Sequence, residues 1–232
     1  LNQSIYVIAD EQNYHMQVLK LILSKLGEAC ADGIFHLSYG MVELPSGRMK
    51  SREGTVVDAD DMIDEMIALA QKQTEEAGKT SGFTEDELAT LYKQIGLGAL
   101  KFYLLRVDPK KKMIFDPKES IDLHGYTATF IQYAHARICS ILRKEGVAYD
   151  APQLNKEAVL SLTTLAKAEK QVVLLLEQYD GLLAAAANEY NPSLVANYCF
   201  QLAQAFNTFY DAHSIAHADT EAQKQFRLYL II

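Results

Sequence analysis

The sequence lacks an excess of basic residues. Lysine and arginine number 22 against 30 aspartates and glutamates, which gives a formal net charge of −8 at pH 7. A protein of this charge has no overall basic field that would draw in a nucleic acid, so we expect no DNA partner. The acidic balance argues mildly against any nucleic-acid binding, although one face can contact RNA while acids cover the others.

Cysteine is scarce and long apolar runs are missing. The three cysteines, Cys30, Cys139 and Cys199, are far apart and without metal-ligand spacing. We therefore expect reduced, mostly buried thiols, no metal site and a cytoplasmic location. The chain has no run of about 18 apolar residues, and its beginning does not resemble a signal peptide, so we expect neither membrane insertion nor secretion.

Apolar residues, in contrast, make up 49% of the 232 positions. This is enough for a sizeable core in one large domain or two smaller ones. The chain begins without methionine and stops at FRLYLII, within an apolar pattern. We interpret it as a fragment of a longer protein.

The N-terminal part predicts an α/β arrangement. The β-branched run SIYVIAD (4–10) leads directly into EQNYHMQVLKLILSKLG (11–27), which has helical spacing, and GIFHLSYGMVEL (33–44) predicts a second strand. Such a unit resembles the end of a nucleotide-binding sheet, where ligands bind outside the carboxyl ends of the strands. Two polar clusters follow strand ends, at residues 10–15 and in SGRMKSREGTVV (46–57).

After this loop the pattern changes to helices. Asp58 or Asp60 can cap a first helix, and Thr84 with Glu87 makes a capping box for a second. Residues 98–106 predict a third helical run.

A proline-containing segment, VDPKKKMIFDP (107–117), predicts an extended linker or hairpin, near the main boundary of the chain. The helical signals beyond it are an apolar stripe over 130–142, a helix capped by Asn155 and running through the 160s, a helix over 168–179, a long helix opened by Asn191 and Pro192, and a last helix from about Thr220. The fold class we predict is the α/β end of a Rossmann-like sheet followed by a mainly α-helical bundle.

The loop at 46–57 carries three basic residues, Arg48, Lys50 and Arg52, between Gly47 and Gly54. Such cations can neutralise the oxygens of a transferring nucleotide, and glycines let a loop close over a bound substrate. Taken alone, the pattern is weak and favours a solvated basic turn.

Four segments, in chain order, resemble motifs of one enzyme family. GRMKSREG resembles the KMSKS loop of class I aminoacyl-tRNA synthetases, in the variant form of the arginine enzymes. VIADEQNYHMQVLK (7–20) resembles their amino-acid pocket segment, FIQYAHARICSIL (130–142) the opening of their anticodon-binding domain, and LAQAFNTFYDAHSI (202–215) a later helix of that domain. On these matches the chain is identified as a member of the arginyl-tRNA synthetase family.

The resemblance implies three parts. Residues 1–57 would be the last portion of the class I catalytic domain with its KMSKS-like loop, 58–127 a helical connecting region that contacts the tRNA stem together with its linker, and 128–232 the anticodon-binding domain, truncated at its C-terminus. The other class I signature, HIGH, has no match here, so we expect the fragment alone to be inactive.

Roles for individual residues follow from the resemblance in the catalytic part. Gln12 and His15 match positions that bind substrate arginine. Without the motif, Gln12 would be a helix-start residue facing water, and His15 a buried histidine hydrogen-bonded against the sheet. His36 and the backbone around Met41 and Val42 match the border of the ATP adenine, with plain core packing of Met41 and Val42 as the competing interpretation.

The loop residues Arg48, Lys50, Ser51 and Arg52 match positions that contact the triphosphate and the pyrophosphate leaving group. Here the sequence departs from the family pattern, because Ser51 stands where the second lysine would be. Which cation supplies that charge is open.

On the tRNA side, the resemblance selects five residues on two helices, namely Tyr133, His135, Arg137, Asn207 and Tyr210. Residues 133 and 137 are four apart and share a helix face, whereas 135 points elsewhere. Stacking planes and donors of this kind can read unstacked RNA bases. The competing interpretation is that Tyr133 covers the bundle and Arg137 pairs with an acid, and the run 110–112 fits either phosphate contact or a solvated linker.

The implied function of the complete protein is to activate L-arginine with ATP and Mg²⁺ and to transfer it to arginine tRNA, as a monomer and without a tightly bound cofactor. Family members usually require tRNA even for the activation step. Two alternatives remain: a helical interaction scaffold without catalysis, and a nucleotidyltransferase that shares this sheet. The helical bundle behind the basic loop favours the synthetase.

Overall fold

The computed structural model describes residues 3–45, 58–78, 80–122, 125–148, 156–215 and 217–232. The loop 46–57 lies outside the described residues, and with it the predicted ATP contacts Arg48, Lys50, Ser51 and Arg52. The predicted helix cap Asn155 also lies outside them. A short α/β unit precedes a mainly helical bundle, which confirms the predicted fold class.

The α/β unit consists of two strands joined by a helix. Strand β1, Ser4–Ala9, pairs in parallel with strand β2, Ile34–Tyr39, along their whole length. A 3₁₀ turn, Asp10–Gln12, leads from β1 into helix α1, Asn13–Lys25. Gly27 follows with a φ of 76°, a left-handed conformation that glycine adopts without steric cost at the end of a helix. The predicted strand–helix–strand unit is confirmed.

The predicted second strand, 33–44, is wrong in its extent. Strand β2 ends at Tyr39, and the separate strand β3, Val42–Glu43, pairs in parallel with β4, Met113–Ile114, in another sheet. The break is at Gly40, whose N–H donates to the carbonyl oxygen of Pro109 at 2.7 Å. A β-carbon at Gly40 would collide with the backbone of Lys111, so glycine lets the 108–112 turn approach here.

Two long helices connect the α/β unit to the bundle. Helix α2, Ala59–Glu76, is capped by the Asp58 side chain, and helix α3, Glu85–Leu105, begins with the predicted Thr84 capping box. The separate helical run expected at 98–106 is wrong, because it belongs to α3. Helix α3 continues through Gly96. Because this residue has no β-carbon, the backbone of α2 packs directly against it.

The segment 107–117 forms no hairpin, because β4 pairs with β3 rather than with a neighbour in sequence. A short helix, α4 (Pro117–Ser120), follows it. The bundle then contains α5 (Ala128–Glu145), α6 (Lys156–Leu160), α7 (Lys167–Glu177), α8 (Tyr179–Glu189), α9 (Pro192–Ala212) and α10 (Glu221–Leu230).

Most bundle boundaries follow local signals. Gly146 ends α5 with a φ of 68°, the Asn191 side chain accepts from the N–H of Ser193 at the start of α9, and Thr220 caps α10. Two expectations are wrong. The helix expected through the 160s ends at Leu160, and the pattern over 168–179 belongs to two helices, α7 and α8.

Two groups of buried apolar side chains form the interior. One fills the bundle around Phe206 and Phe209 of α9, and the other lies between α2, α3 and β4 around Met66 and Phe115. In the described part of the chain, no helix is long and apolar enough to span a bilayer. The expectation of mostly buried cysteines is wrong, because Cys30 is exposed and Cys139 and Cys199 are only partly buried.

Candidate functional site

The carboxyl ends of β1 and β2 lie side by side. Ala9 is opposite Tyr39 in the parallel register, so the Asp10–Gln12 turn after β1 is next to the break in the chain after β2. Gln12 and His15 are both exposed at this end. The structure thus brings the two predicted arginine-binding residues to the edge of the sheet where ligands bind in α/β proteins.

His15 is not the buried histidine that one interpretation expected. It is exposed in the first turn of α1, and its ring meets Tyr14 edge-on with 6.1 Å between ring centroids. Its imidazole is therefore accessible to a ligand from outside the sheet.

His36 lies within β2 and is engaged by the neighbouring strand. Its Nε2 is 3.0 Å from the carbonyl oxygen of Ile8 in β1. Because a carbonyl oxygen only accepts, Nε2 carries the proton of this hydrogen bond. This nitrogen joins the two strands, and Nδ1 is left as the ring nitrogen for any other partner.

Met41 and Val42 belong to the second sheet. The carbonyl oxygen of Met41 accepts from the N–H of Met113 at 3.1 Å, and the Val42 side chain packs against the buried group around Met66. The core interpretation of Val42 therefore holds. The predicted adenine contact of this segment stays a prediction.

Three exposed lysines, at 110–112, lie beside the carboxyl end of β2. The sequence did not predict this position for them. The turn that carries them packs against Gly40, directly after β2. In the sequence they belong to a linker about seventy residues away, and only the pairing of β3 with β4 brings them here. The lysines supply positive charge at the same edge as Gln12.

On the bundle, four of the five predicted tRNA contacts come together around one guanidinium. The central carbon of Arg137 lies 4.9 Å from the ring centroid of Tyr133 and 4.8 Å from that of Tyr210. Its Nη1 donates to Oδ1 of Asn207 at 3.0 Å. We name Tyr133, Arg137, Asn207 and Tyr210 the Arg137 cluster.

Helix geometry explains this arrangement. Tyr133 and Arg137 are one turn apart on α5, and Asn207 and Tyr210 are three apart on α9, so each pair shares a face. The packing of α5 against α9 then brings the two faces together. Asp211, which the sequence did not single out, lies 3.9 Å from Arg137 Nη1 and is itself 74% exposed. This ion pair is long and solvent-exposed, and such pairs contribute little to the free energy of unfolding.

The Arg137 cluster presents two aromatic rings and a guanidinium group together on the bundle. Among the described residues, Nε and Nη2 of Arg137 have no hydrogen-bond partner, so their N–H groups are available as donors. Tyr133 and Tyr210 are also partly exposed, at 48% and 37%. Aromatic rings and guanidinium planes of this kind stack on unpaired RNA bases while the N–H groups meet the base edges.

His135 is not part of this cluster. Its Nε2 lies 3.6 Å from Sγ of Cys139, one turn further along α5. It lines a groove of about 810 Å³ between α2, α3 and α5, and Tyr133 stands at the border between this groove and the Arg137 cluster. His135 thus makes none of the contacts of the Arg137 guanidinium, although it shares the groove with Tyr133.

In the part of the chain that the structure describes, no group of three or more His, Cys, Asp or Glu side chains is arranged to hold a metal ion.

Comparison with protein families divides the chain as the sites do. Residues 1–116 match the class I tRNA synthetase catalytic domain of the arginine type, and residues 131–232 match the DALR anticodon binding domain. The matched segments contain the sheet end and the Arg137 cluster, respectively.

Individual proteins give the same result. The arginine–tRNA ligase of Flavobacterium psychrophilum is 49% identical over 227 residues, which are 97% of this chain and 36% of that protein. The ligase of Phocaeicola vulgatus is 46% identical over 230 residues, 99% of this chain and 38% of that protein. The chain thus spans little more than a third of the length of these relatives.

A solved structure agrees with the fold. The arginyl-tRNA synthetase of Thermus thermophilus superposes with a TM-score of 0.81 at 27% identity, over 99% of this chain and 37% of that one. The arginyl-tRNA synthetase of Plasmodium falciparum, at 20% identity and a TM-score of 0.78, shares the fold. With the catalytic-domain match over half its length, the chain belongs to the arginyl-tRNA synthetase family.

Proposed function

We propose that this chain is part of an arginine–tRNA ligase that activates L-arginine with ATP and transfers it to arginine tRNA. The observation that carries the proposal is the Arg137 cluster, because it offers two tyrosine rings and open guanidinium N–H groups to a base. It lies inside the segment that matches an anticodon-binding domain.

In this proposal the sheet end serves the activation step. Gln12 and His15 contact arginine, since both are exposed at the carboxyl end of β1. His36, Met41 and Val42 border the adenine, and Arg48, Lys50, Ser51 and Arg52 contact the triphosphate. The exposed lysines at 110–112 are a further source of positive charge near this edge.

The three-part organisation at 1–57, 58–127 and 128–232 belongs to the same proposal. It is supported by the two separate buried groups, one in the bundle and one among α2, α3 and β4. Mg²⁺ would enter with ATP and neutralise phosphate charge. We propose a cytoplasmic, monomeric enzyme.

The first test is binding of this chain to arginine tRNA, with lysine tRNA as the control, at two salt concentrations. Contacts to phosphates weaken steeply with added salt, whereas contacts to bases distinguish the two tRNAs. A preference for arginine tRNA that survives added salt supports the proposal. Equal binding that vanishes with salt counts against base reading by the bundle.

The second test is aminoacylation by the full-length protein. We expect arginine to be attached to arginine tRNA, and Arg137→Ala to raise the tRNA concentration required. Arg143→Ala is the matched control, because Arg143 is an exposed arginine in the last turn of the same helix. Absence of arginylation in the unaltered full-length protein would overturn the proposed function.

A further inference from the structure

Tyr190 of the bundle contacts the two-stranded sheet of β1 and β2. Tyr190 follows α8 and has φ 51° and ψ 39°, the left-handed region. Among the described residues, Tyr190 alone combines a positive φ with a side chain other than that of glycine. The N–H of Tyr190 donates to the carbonyl oxygen of Ala187, and the N–H of Asn191 donates to that of Ala186. Helices that end in this way usually have glycine at the left-handed position.

The side chain explains why a tyrosine occupies this position. Its ring lies against Phe35 of β2, with 4.4 Å between ring centroids and 32° between ring planes. Its hydroxyl accepts from Nε2 of Gln3, directly before β1, at 2.7 Å. One ring thus contacts both chain segments of the two-stranded sheet, and a glycine, although better suited to the backbone, would make neither contact.

The contact leads towards the proposed activation site. Phe35 is next to His36, and the His36 ring donates to the carbonyl oxygen of Ile8 in β1. A displacement of Phe35 therefore moves a residue that joins the two strands. Gln12, a proposed arginine contact, follows β1 directly.

The same tyrosine leads into the helix that carries half of the Arg137 cluster. After Tyr190 and Asn191, α9 runs without interruption for 21 residues, from Pro192 to Ala212. At about 1.5 Å per residue, such a helix is roughly 30 Å long. Asn207 and Tyr210 lie near its carboxyl end, and Tyr190 stands at its amino end. Helix α9 also contacts α3, since Nδ2 of Asn197 donates to the carbonyl oxygen of Arg106 at 3.4 Å.

We propose that Tyr190 is a positioning residue that couples tRNA binding at the Arg137 cluster to the placement of β1 and β2, and so to arginine activation. The proposal rests on the proposed function. Ligand binding at one end of α9 changes the position of its other end, and Tyr190 passes that change to both strands. Without the ring, tRNA binds as before but no longer stimulates activation.

The test uses the full-length protein and the variant Tyr190→Gly. Three quantities are measured: the Kd for arginine tRNA, the kcat and KM of arginine-dependent ATP–pyrophosphate exchange at saturating tRNA, and the Tm. We expect an unchanged Kd and a kcat lower by about tenfold, a typical size for coupling between two sites. The Tm should change little, because relief of the left-handed backbone offsets the loss of the ring contact and the hydrogen bond.

A purely structural tyrosine would behave differently, because its removal would lower the Tm and weaken tRNA binding together with activity. That result, or an unaltered kcat, would overturn the proposal. Tyr229→Ala, which removes an exposed tyrosine elsewhere on the bundle, should leave all three quantities unchanged.

A second variant tests the partner of the contact. Phe35→Leu should reproduce the loss of kcat, and the double variant with Tyr190→Gly should be no worse than either single variant, since both remove one interaction. Additive losses would overturn the coupling path. If the unaltered protein shows no arginine-dependent exchange, the proposed function itself fails, whereas full activity in Tyr190→Gly removes only this inference.

Discussion

Nε of Arg227 in α10 lies 2.8 Å from Oε1 of Glu169 in α7, in the interior of the bundle. The two residues are only 7% and 4% exposed. Each side chain makes a further hydrogen bond, because Glu169 Oε2 accepts from the N–H of Ala166 and Arg227 Nη1 donates to the carbonyl oxygen of Ser214. The pair thus joins α7, α10 and the segment before α10.

Removing one partner of this pair should strongly destabilise the bundle. Glu169→Ala leaves a buried guanidinium without its carboxylate, which typically costs about 3–5 kcal/mol of unfolding free energy. Urea denaturation of the purified chain measures this loss. The control is Lys72→Ala, because Lys72 forms an exposed pair with Glu76, 4.0 Å apart, and should change little. A loss in Glu169→Ala no larger than that of the control would contradict the prediction.

Two glycines should respond to alanine with opposite signs. A β-carbon on Gly96 of α3 would lie 2.8 Å from the carbonyl oxygen of Met66 and 2.9 Å from the nitrogen of Ile67, both backbone atoms of α2. Gly96→Ala must push the two helices apart, at a cost of about 1–3 kcal/mol.

The matched variant is Gly181→Ala in α8, where an added β-carbon meets nothing within 4 Å. Because alanine is the better helix former, it should raise the unfolding free energy by up to about 1 kcal/mol. The midpoints of urea denaturation compare the two variants directly. Equal effects would mean that the close approach of α2 and α3 does not limit the residue at position 96.

What the sequence could predict is what short segments specify. The Thr84 capping box, the Asp58 cap, Gly27 and Gly146 are local signals, and helices begin or end at all of them. The first strand and its following helix were likewise readable from the spacing of apolar residues.

What the sequence could not predict depends on contacts between distant segments. Gly40 reads as an ordinary residue within a strand, and only the approach of Lys111 shows why the strand breaks there. In the same way, Arg137 and Asn207 were separate candidates in the sequence, and the packing of α5 against α9 joined them. Tyr190 carried no signal at all, because its backbone conformation and its contact with Phe35 exist only in the folded chain.

Cys30 and Cys199 should differ in their reactivity towards alkylating reagents. Burial raises the pKa of the Cys199 thiol, so a smaller fraction is thiolate at a given pH, and thiolate is the reactive form. Cys30, in contrast, is exposed. With iodoacetamide at pH 8, mass spectrometry should find Cys30 modified first, and labelling of Cys199 should increase only at higher pH. Faster labelling of Cys199 than of Cys30 in the folded chain would contradict this.

The last prediction separates the shape of Arg137 from its charge. Lysine keeps the positive charge, but it has no plane to lie between the rings of Tyr133 and Tyr210 and cannot donate to Asn207 and to a base in one fixed geometry. Arg137→Lys should therefore raise the Kd for arginine tRNA by about tenfold or more, the typical effect of losing one base contact.

The salt dependence tells the two kinds of contact apart. In Arg137→Lys the slope of log Kd against log salt should remain that of the unaltered chain, since no phosphate contact is lost. Replacing the exposed lysines at 110–112 by glutamine should instead flatten the slope and weaken arginine and lysine tRNA equally, if they contact phosphates. If the Arg137→Lys variant binds arginine tRNA as tightly as the unaltered chain and only the salt slope changes, Arg137 is a phosphate contact. The base-reading role of the cluster is then wrong.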